Sequence, residues 1–178
     1  TRIETPAVAV DHTPAQLEST IANLAAACEL LLAEGLYPAI HQHVGSLIES
    51  EHELRTLLGA LDADTLGFAP DTGHLTWAGM NPRALIVEFG DRIAGLHLKD
   101  VFADHLTDDG LPRRTGLNYH EVGATKRLWA EPGLGVVDLL GAPFEDDPDE
   151  LAAASRVAHL DGRPRAALDT RDEVPESE

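Results

Sequence analysis

Cysteine is nearly missing from this chain of 178 residues, which contains only Cys28. A single thiol excludes an internal disulfide bond. Aromatic residues make up 4% of the sequence, so alanine, leucine and valine must fill most of the core. No apolar run approaches the roughly 20 residues needed to span a bilayer, and the first residues lack the layout of a secretory signal. We therefore expect a cytoplasmic protein that does not enter membranes.

Basic residues are also scarce. Lysine and arginine number 13 against 31 aspartates and glutamates, which gives a formal net charge of −18. Such a surface repels nucleic acid and anionic lipid, and no basic patch is present to bind a phosphate backbone. The length suits one domain. Because large aliphatic residues become few after Glu145, we predict a folded domain over residues 1–144 and an acidic, largely disordered tail over residues 145–178.

Apolar periodicity and capping residues predict alternating helices and strands. A capping pattern at Thr13 predicts a helix that runs to about Glu34 and ends at Gly35, with Cys28 buried on its apolar stripe. The following elements, in chain order, are a strand over 36–40, a helix that begins near Ser50, a strand over 65–70, a helix over 82–89 and a strand over 92–98. This order favours an α/β fold with a parallel sheet and covering helices.

Polar side chains follow each of these three strands, in the pairs His41 with His43, Asp71 with His74, and His97 with Lys99. The carboxyl ends of parallel strands meet at the same edge of a sheet, so these groups are expected to converge. Such a mixture of oxygen and nitrogen donors suits Mn²⁺, Co²⁺, Mg²⁺ or Zn²⁺. The pattern therefore predicts a divalent metal as the cofactor.

Each pair taken alone has a simpler explanation. A histidine at a strand end is most often a hydrogen-bonded structural residue, and Asp71 with the next two residues also fits an Asx turn. A lysine and an aspartate after a strand, here Lys99 and Asp100, are usually solvated. The joint occurrence at three successive strand ends is what favours the metal site.

Several motifs resemble one protein family: HQHVGSLIES over 41–50, DTGHLTWAG over 71–79, RIAGLHLKDV over 92–101 and GLGVVD over 133–138. They are similar to motifs of the sugar phosphate isomerase/epimerase superfamily of xylose-isomerase-like TIM barrels. Within it they look most like inosose dehydratases and hydroxypyruvate-isomerase-like proteins. The resemblance covers residues 13 to about 140, and it is much less specific for substrate than for superfamily.

The resemblance implies roles for individual residues. Asp71, His97 and His41 would be the metal ligands, although a shift of one alignment step would exchange His41 with His43. His74 would touch the substrate or the metal. Proton transfer would fall to His41 or His43, and Lys99 would stabilise a developing oxyanion.

Two further residues are secondary candidates for contact with the substrate. Glu49 is a reserve carboxylate, with a solvated position at the start of the next helix as the alternative. Trp77 would line the pocket or, alternatively, lie buried against the sheet.

The resemblance implies proton abstraction next to the carbonyl of a sugar or polyol, which gives an isomer, an epimer or a dehydrated product. A nuclease, which the same barrel also supports, is disfavoured by the net charge of −18. A complete barrel needs eight strands in about 250 residues, and no closing strand with a ligand glutamate is recognisable here. We therefore expect a partial, truncated barrel with unpaired edges and an uncovered apolar face. The alternative is a catalytically impaired remnant that acts as a homo-oligomer or with a partner.

Overall fold

The computed structural model describes residue 7, residues 12–125 and residues 127–138. The predicted acidic tail, residues 145–178, lies outside these residues. The helices of the described part are α1 Pro14–Ala33, α2 Glu51–Ala60, α3 Thr72–Trp77, α4 Pro82–Glu88 and α5 Tyr119–Thr125. The strands are β1 Ala39–Ile40, β2 Gly67–Phe68, β3 Asp100–Val101 and β4 Trp129–Ala130. None of the described helices combines the length and the apolar character that a bilayer crossing needs.

The two long helices begin at capping boxes, as predicted. The Thr13 hydroxyl accepts a hydrogen bond from the Gln16 backbone N–H, and the Gln16 side chain accepts one from the Thr13 backbone N–H. Ser50 and Glu53 repeat this reciprocal pair before α2. Each pair satisfies backbone donors that the first helical turn leaves free, so sequence positions three apart settle where the helix starts. Both predicted helix starts are confirmed.

Helix α1 ends where the sequence indicated. Gly35 adopts a φ of 76°, a conformation that side chains with a Cβ disfavour, and it reverses the chain toward β1. The predicted burial of Cys28 is confirmed, and burial raises the pKa of its thiol. On both sides of this turn, however, large side chains stay uncovered: Leu30 is 72% exposed, and Leu36 and Tyr37 are also exposed.

The central sheet is parallel and places three chain segments side by side. Strand β1 pairs with β2 in the register Ala39 with Gly67 and Ile40 with Phe68. The next segment adds parallel bridges between Phe68 and Ile93 and between Asp71 and His97. The predicted continuous strand over 92–98 is therefore wrong in extent, because only these positions pair. Pro70 lacks an N–H and cannot donate to the ladder between the two bridges.

Two features differ from the predicted all-parallel pattern. Asp71 is followed at once by α3, which is short and mostly buried. Further along, β3 pairs with β4 in antiparallel fashion, with Asp100 opposite Ala130 and Val101 opposite Trp129. This pair brings a segment near residue 130 back to the carboxyl edge of the sheet.

The core divides into two apolar clusters on either side of α3. The first cluster packs α1, α2 and α4 against the sheet, and its fully buried members include Leu54, Leu57, Phe68 and Leu75. The second cluster joins Trp77 and Val101 to residues that follow β3, among them Leu106, Val122 and Leu128. Helix α3 contributes Leu75 to one cluster and Trp77 to the other, so it fixes the position of Asp71 and His74 between them.

Candidate metal centre

The two carboxylate oxygens of Asp71 have different roles: one caps a helix and the other faces the candidate metal site. Its Oδ1 accepts a hydrogen bond of 3.0 Å from the His74 backbone N–H and caps α3. This contact turns Oδ2 toward the ends of the neighbouring strands. The residue is completely buried, and Oδ2 has no hydrogen-bond partner among the described residues. Its contacts are ionic ones with the side chains described below.

Thr72 sets the position of the adjacent segment. Its backbone N–H donates to the His97 carbonyl at 3.0 Å. Its hydroxyl accepts from the Lys99 backbone N–H at 2.9 Å and donates to the Lys99 carbonyl at 2.6 Å. Residues two apart in extended chain point to the same side, so His97 and Lys99 both face Asp71.

Three potential ligands converge on the edge of the sheet. His97 Nδ1 lies 3.6 Å from Asp71 Oδ2, and His41 Nε2 lies 3.9 Å from the same oxygen. One donor atom from each of the three residues lies within 4.8 Å of the other two. The carboxyl ends of β1, β2 and the 92–98 segment therefore meet as the sequence indicated.

The donor set fits a divalent cation. One carboxylate oxygen and two imidazole nitrogens suit Mn²⁺, Co²⁺ or Zn²⁺, and three protein ligands leave coordination positions for substrate or water. His97 is 60% exposed and His41 30% exposed, so the cluster is open to solvent on one side. Burial lowers the pKa of His41, whereas the Asp71 carboxylate raises it and opposes that effect. A neutral imidazole is the form that binds a metal ion.

His74 lies behind the cluster as a neutral, buried imidazole. Its Nδ1 accepts a hydrogen bond of 3.3 Å from the Val44 backbone N–H, which assigns the ring hydrogen to Nε2. Burial lowers the pKa of His74 to about 2, and the charges of His43 and Lys99 act in the same direction. Its Nε2 has no hydrogen-bond partner among the described residues. His74 is therefore a hydrogen-bond donor that stays neutral over the physiological range.

His43 stacks on His74, with ring centroids 3.7 Å apart. Its Nδ1 lies 2.7 Å from the Val44 carbonyl, so this nitrogen carries the hydrogen and Nε2 keeps its lone pair. Burial lowers the pKa of His43, and the hydrogen bond to the Val44 carbonyl partly offsets that effect. The two stacked rings thus have opposite tautomers, one a donor and one an acceptor at Nε2.

Trp129 and Tyr119 are site residues that the sequence did not reveal. The Trp129 ring centroid lies 4.6 Å from that of His74, and the Lys99 ammonium lies 4.7 Å from the Trp129 ring centroid. Tyr119 lies edge-on to His43 at 4.8 Å, and its hydroxyl oxygen is 3.4 Å from Trp129 Nε1. With only eight aromatic residues in the chain, a tryptophan just before the GLGVVD motif was the available signal.

The secondary candidates have mainly structural positions. Trp77 is buried, and its ring lies among those of Tyr119, Trp129 and His105. Of the two expectations for Trp77, a pocket lining and a buried position, the structure shows the buried position. Glu49 is buried too, and the alternative of a solvated position is wrong. Its Oε2 accepts a hydrogen bond of 2.6 Å from the Gly45 backbone N–H. Glu49 thereby organises the loop that carries His43.

Asp100 is not the solvated partner of Lys99 that its sequence position suggested. It is fully buried, and its carboxylate accepts backbone hydrogen bonds from Gly133, Gly135 and Val137 at 2.8–3.0 Å. Burial raises the pKa of Asp100, but these N–H groups outweigh that effect and hold it below its usual value. A Cβ at Gly135 would lie 2.2 Å from Asp100 Oδ1, so only glycine fits there. The GLGVVD motif is thus tied to the strand that follows Lys99.

The fold and this cluster define an α/β protein with a candidate metal site at the carboxyl edge of a parallel sheet. The sequence model of the xylose isomerase-like TIM barrel family matches residues 4–125. The chain therefore belongs to the xylose isomerase-like TIM barrel family.

Relatives with assigned names include several dehydratases. The chain is 30% identical over 128 residues to inosose dehydratase from Geobacillus kaustophilus, which covers 72% of this chain and 40% of that protein. It is 31% identical over 104 residues to the rhizopine catabolism protein MocC of Rhizobium meliloti, covering 58% of this chain and 30% of that protein. The chain thus spans well under half the length of these relatives.

Among solved structures, one match is the probable 3-DHS dehydratase AsbF from Bacillus anthracis. The identity is 21% and the TM-score is 0.49, and the match covers 66% of this chain and 42% of that one.

Proposed function

We propose that this chain carries the metal centre of an enzyme that dehydrates or isomerises a keto-sugar or keto-polyol, with dehydration as the preferred reaction. The observation that carries the proposal is the convergence of His41, Asp71 and His97 on one point of the sheet edge. The names of the inosose dehydratases support the substrate class and the reaction.

His41, Asp71 and His97 would hold the ion. A divalent cation at such a site supplies Lewis-acid polarisation of a carbonyl, which makes the neighbouring C–H bond more acidic. Asp71 Oδ2 is buried and has only ionic contacts among the described residues, with Lys99, His97 and His41, so its charge is available to a divalent ion that displaces the lysine.

The remaining residues supply proton transfer and charge stabilisation. His43 Nε2, with its free lone pair, would take the proton from the carbon next to the carbonyl. The Lys99 ammonium, which is partly exposed, would be the donor for the oxygen on which negative charge develops. The hydroxyl on the following carbon would then leave as water by taking the proton that His43 had removed from the carbon, and an unsaturated ketone would remain. Return of the proton without this loss would instead give an isomer or epimer.

The proposal is tested with Asp71→Asn, which keeps Oδ1 as the cap of α3 and removes the negative charge. Binding of Mn²⁺ and Co²⁺ is measured by calorimetry, and dehydration of inosose by the absorbance of the unsaturated product. We expect metal affinity to fall by more than about 100-fold, because even residues that only support a ligand are worth 10- to 100-fold. The control Asp104→Asn changes an exposed carboxylate and should leave affinity unchanged.

Equal metal affinity in the wild type and Asp71→Asn would refute the proposed centre. Metal binding that depends on Asp71, without turnover of inosose or other keto-polyols, would favour the alternative function. In that alternative the chain is an impaired barrel segment that acts only with a partner or as an oligomer. The uncovered side chains around Leu30 and Leu36 are the observation that supports this second candidate.

A further inference from the structure

The Lys99 ammonium is the positively charged group closest to Asp71 Oδ2, the oxygen that would bind the metal ion. Its Nζ lies 2.8 Å from Asp71 Oδ2, whereas the two histidine nitrogens lie 3.6 and 3.9 Å away. The same oxygen that would bind a cation therefore already forms an ion pair within the chain. Because Asp71 is completely buried, this pairing is screened by solvent much less than a surface ion pair.

The lysine is held at both ends. Its backbone is fixed by two hydrogen bonds with the Thr72 hydroxyl. Its stem passes against Gly73, where an added Cβ would come within 2.9 Å of Lys99 Cβ. Its ammonium lies 4.7 Å from the centroid of the Trp129 ring, a distance at which the ring face attracts a cation. The side chain is 33% exposed, so the ammonium also has a route to solvent.

We propose that Lys99 is an internal counter-cation that competes with the divalent ion for Asp71 Oδ2. Trp129 is the positioning residue that holds the ammonium when the ion displaces it. This inference rests on the proposed metal centre. When the ion binds, the Lys99 side chain moves away from Asp71 toward Trp129.

The physical reason is the cost of an unpaired buried charge. Without Lys99 the empty site would leave a buried carboxylate oxygen with no nearby countercharge from lysine or arginine among the described residues, which is strongly unfavourable. With both cations on one oxygen, the ammonium and the divalent ion would repel at a separation of a few ångströms. Displacement toward Trp129 relieves the repulsion at small cost, because the ring continues to stabilise the ammonium. It also frees the ammonium for an oxyanion on the substrate.

The test is Lys99→Met, which keeps an unbranched apolar stem against Gly73 and Trp129 and removes the charge. Calorimetric titration with Mn²⁺ and with Co²⁺ should show about tenfold tighter binding than the wild type, since a short contact between charged groups of this kind is worth about that factor or more. The control Arg114→Met removes one positive charge from an exposed loop residue. It alters the net charge equally and should leave the affinity unchanged.

The role of Trp129 is tested by a double-mutant cycle. Trp129→Leu should weaken Mn²⁺ binding by roughly two- to fivefold in the wild type, because the ammonium displaced from Asp71 depends on the aromatic face more than the paired ammonium does. The same substitution should have no effect on affinity in the Lys99→Met background. An equal effect of Trp129→Leu in both backgrounds would show a merely structural role and would overturn the assignment of Trp129.

The outcomes separate this inference from the proposed function. If the wild type binds metal, Asp71→Asn does not, and folded Lys99→Met binds no more tightly, the competition is refuted while the metal centre stands. If neither the wild type nor Lys99→Met binds metal, both are refuted. Should Lys99→Met fail to fold by circular dichroism, Lys99→Gln retains a polar end group and takes its place with the same expected tightening.

Discussion

Glu53 links the amino-terminal part of the described chain to α2, and it provides a prediction about stability. Its carboxylate is almost completely buried and accepts backbone hydrogen bonds from His12 and Glu49 at 2.9 Å and from Ser50 at 2.8 Å. The His12 ring also contacts it through Nδ1. Replacement by glutamine keeps the size of the side chain but removes the charge and one acceptor oxygen.

The magnitude follows from the pKa of this group. Burial alone raises the pKa of Glu53, but the backbone N–H groups of His12, Ser50 and Glu49 outweigh it and lower the pKa from 4.5 to about 2. A tenfold change in proton affinity is worth about 1.4 kcal/mol, so the ionised carboxylate contributes about 3 kcal/mol to folding. Because the pKa is lower in the folded state, this contribution is complete above pH 4.5 and is lost as the pH falls toward 2.

The assay is urea denaturation followed by circular dichroism at several pH values between 7 and 2.5. Glu53→Gln should lower the free energy of unfolding by about 3 kcal/mol at pH 7, and the difference from the wild type should shrink below pH 4.5. Glu51→Gln is the matched control, because this exposed glutamate forms an i,i+4 ion pair with Arg55 worth less than about 1 kcal/mol. A difference between wild type and Glu53→Gln that stays constant with pH would refute the reasoning.

Two further substitutions test the supports of the site. Asp100→Asn should lower the free energy of unfolding by about 1–3 kcal/mol, because an amide cannot accept hydrogen bonds from all the N–H groups of the 133–137 loop. Urea denaturation measures this change, with the exposed Asp108→Asn as the control. Equal stability of the two variants would contradict the prediction. Gly73→Ala should cost about 1–3 kcal/mol and weaken Mn²⁺ binding, because the new Cβ would lie 2.9 Å from Lys99 Cβ and 3.0 Å from the Trp129 ring. Gly59→Ala, where an added Cβ meets nothing within 4 Å, should instead leave Mn²⁺ affinity unchanged, and a similar loss in both variants would remove the steric explanation.

Local features of the fold could be predicted from the sequence. The starts of α1 and α2 depend on side chains three positions apart, and the end of α1 depends on one glycine. These capping interactions join residues within a single helical turn, so the local sequence is enough to predict them. The convergence of His41, Asp71 and His97 could also be anticipated, because parallel strands joined by helices bring their carboxyl ends to one edge.

Contacts between distant segments decided the rest of the site. Trp129 lies beside His74 and Lys99 because β4 pairs in antiparallel fashion with β3. Asp100 is buried because a loop more than 30 residues later donates its N–H groups to it. Neither pairing has a periodic or capping signature, since each depends on which surfaces meet after the chain has packed.

By itself, the sequence determined where α1 begins and ends, where α2 begins, and the set of polar side chains delivered to one edge of the sheet. Only the tertiary structure decided that Lys99, rather than a histidine, lies closest to Asp71, and that an aromatic ring lies behind the ammonium. The physical reason is range: capping and strand order are settled by neighbours along the chain, whereas the pairing of charges depends on distances that exist only in the folded protein.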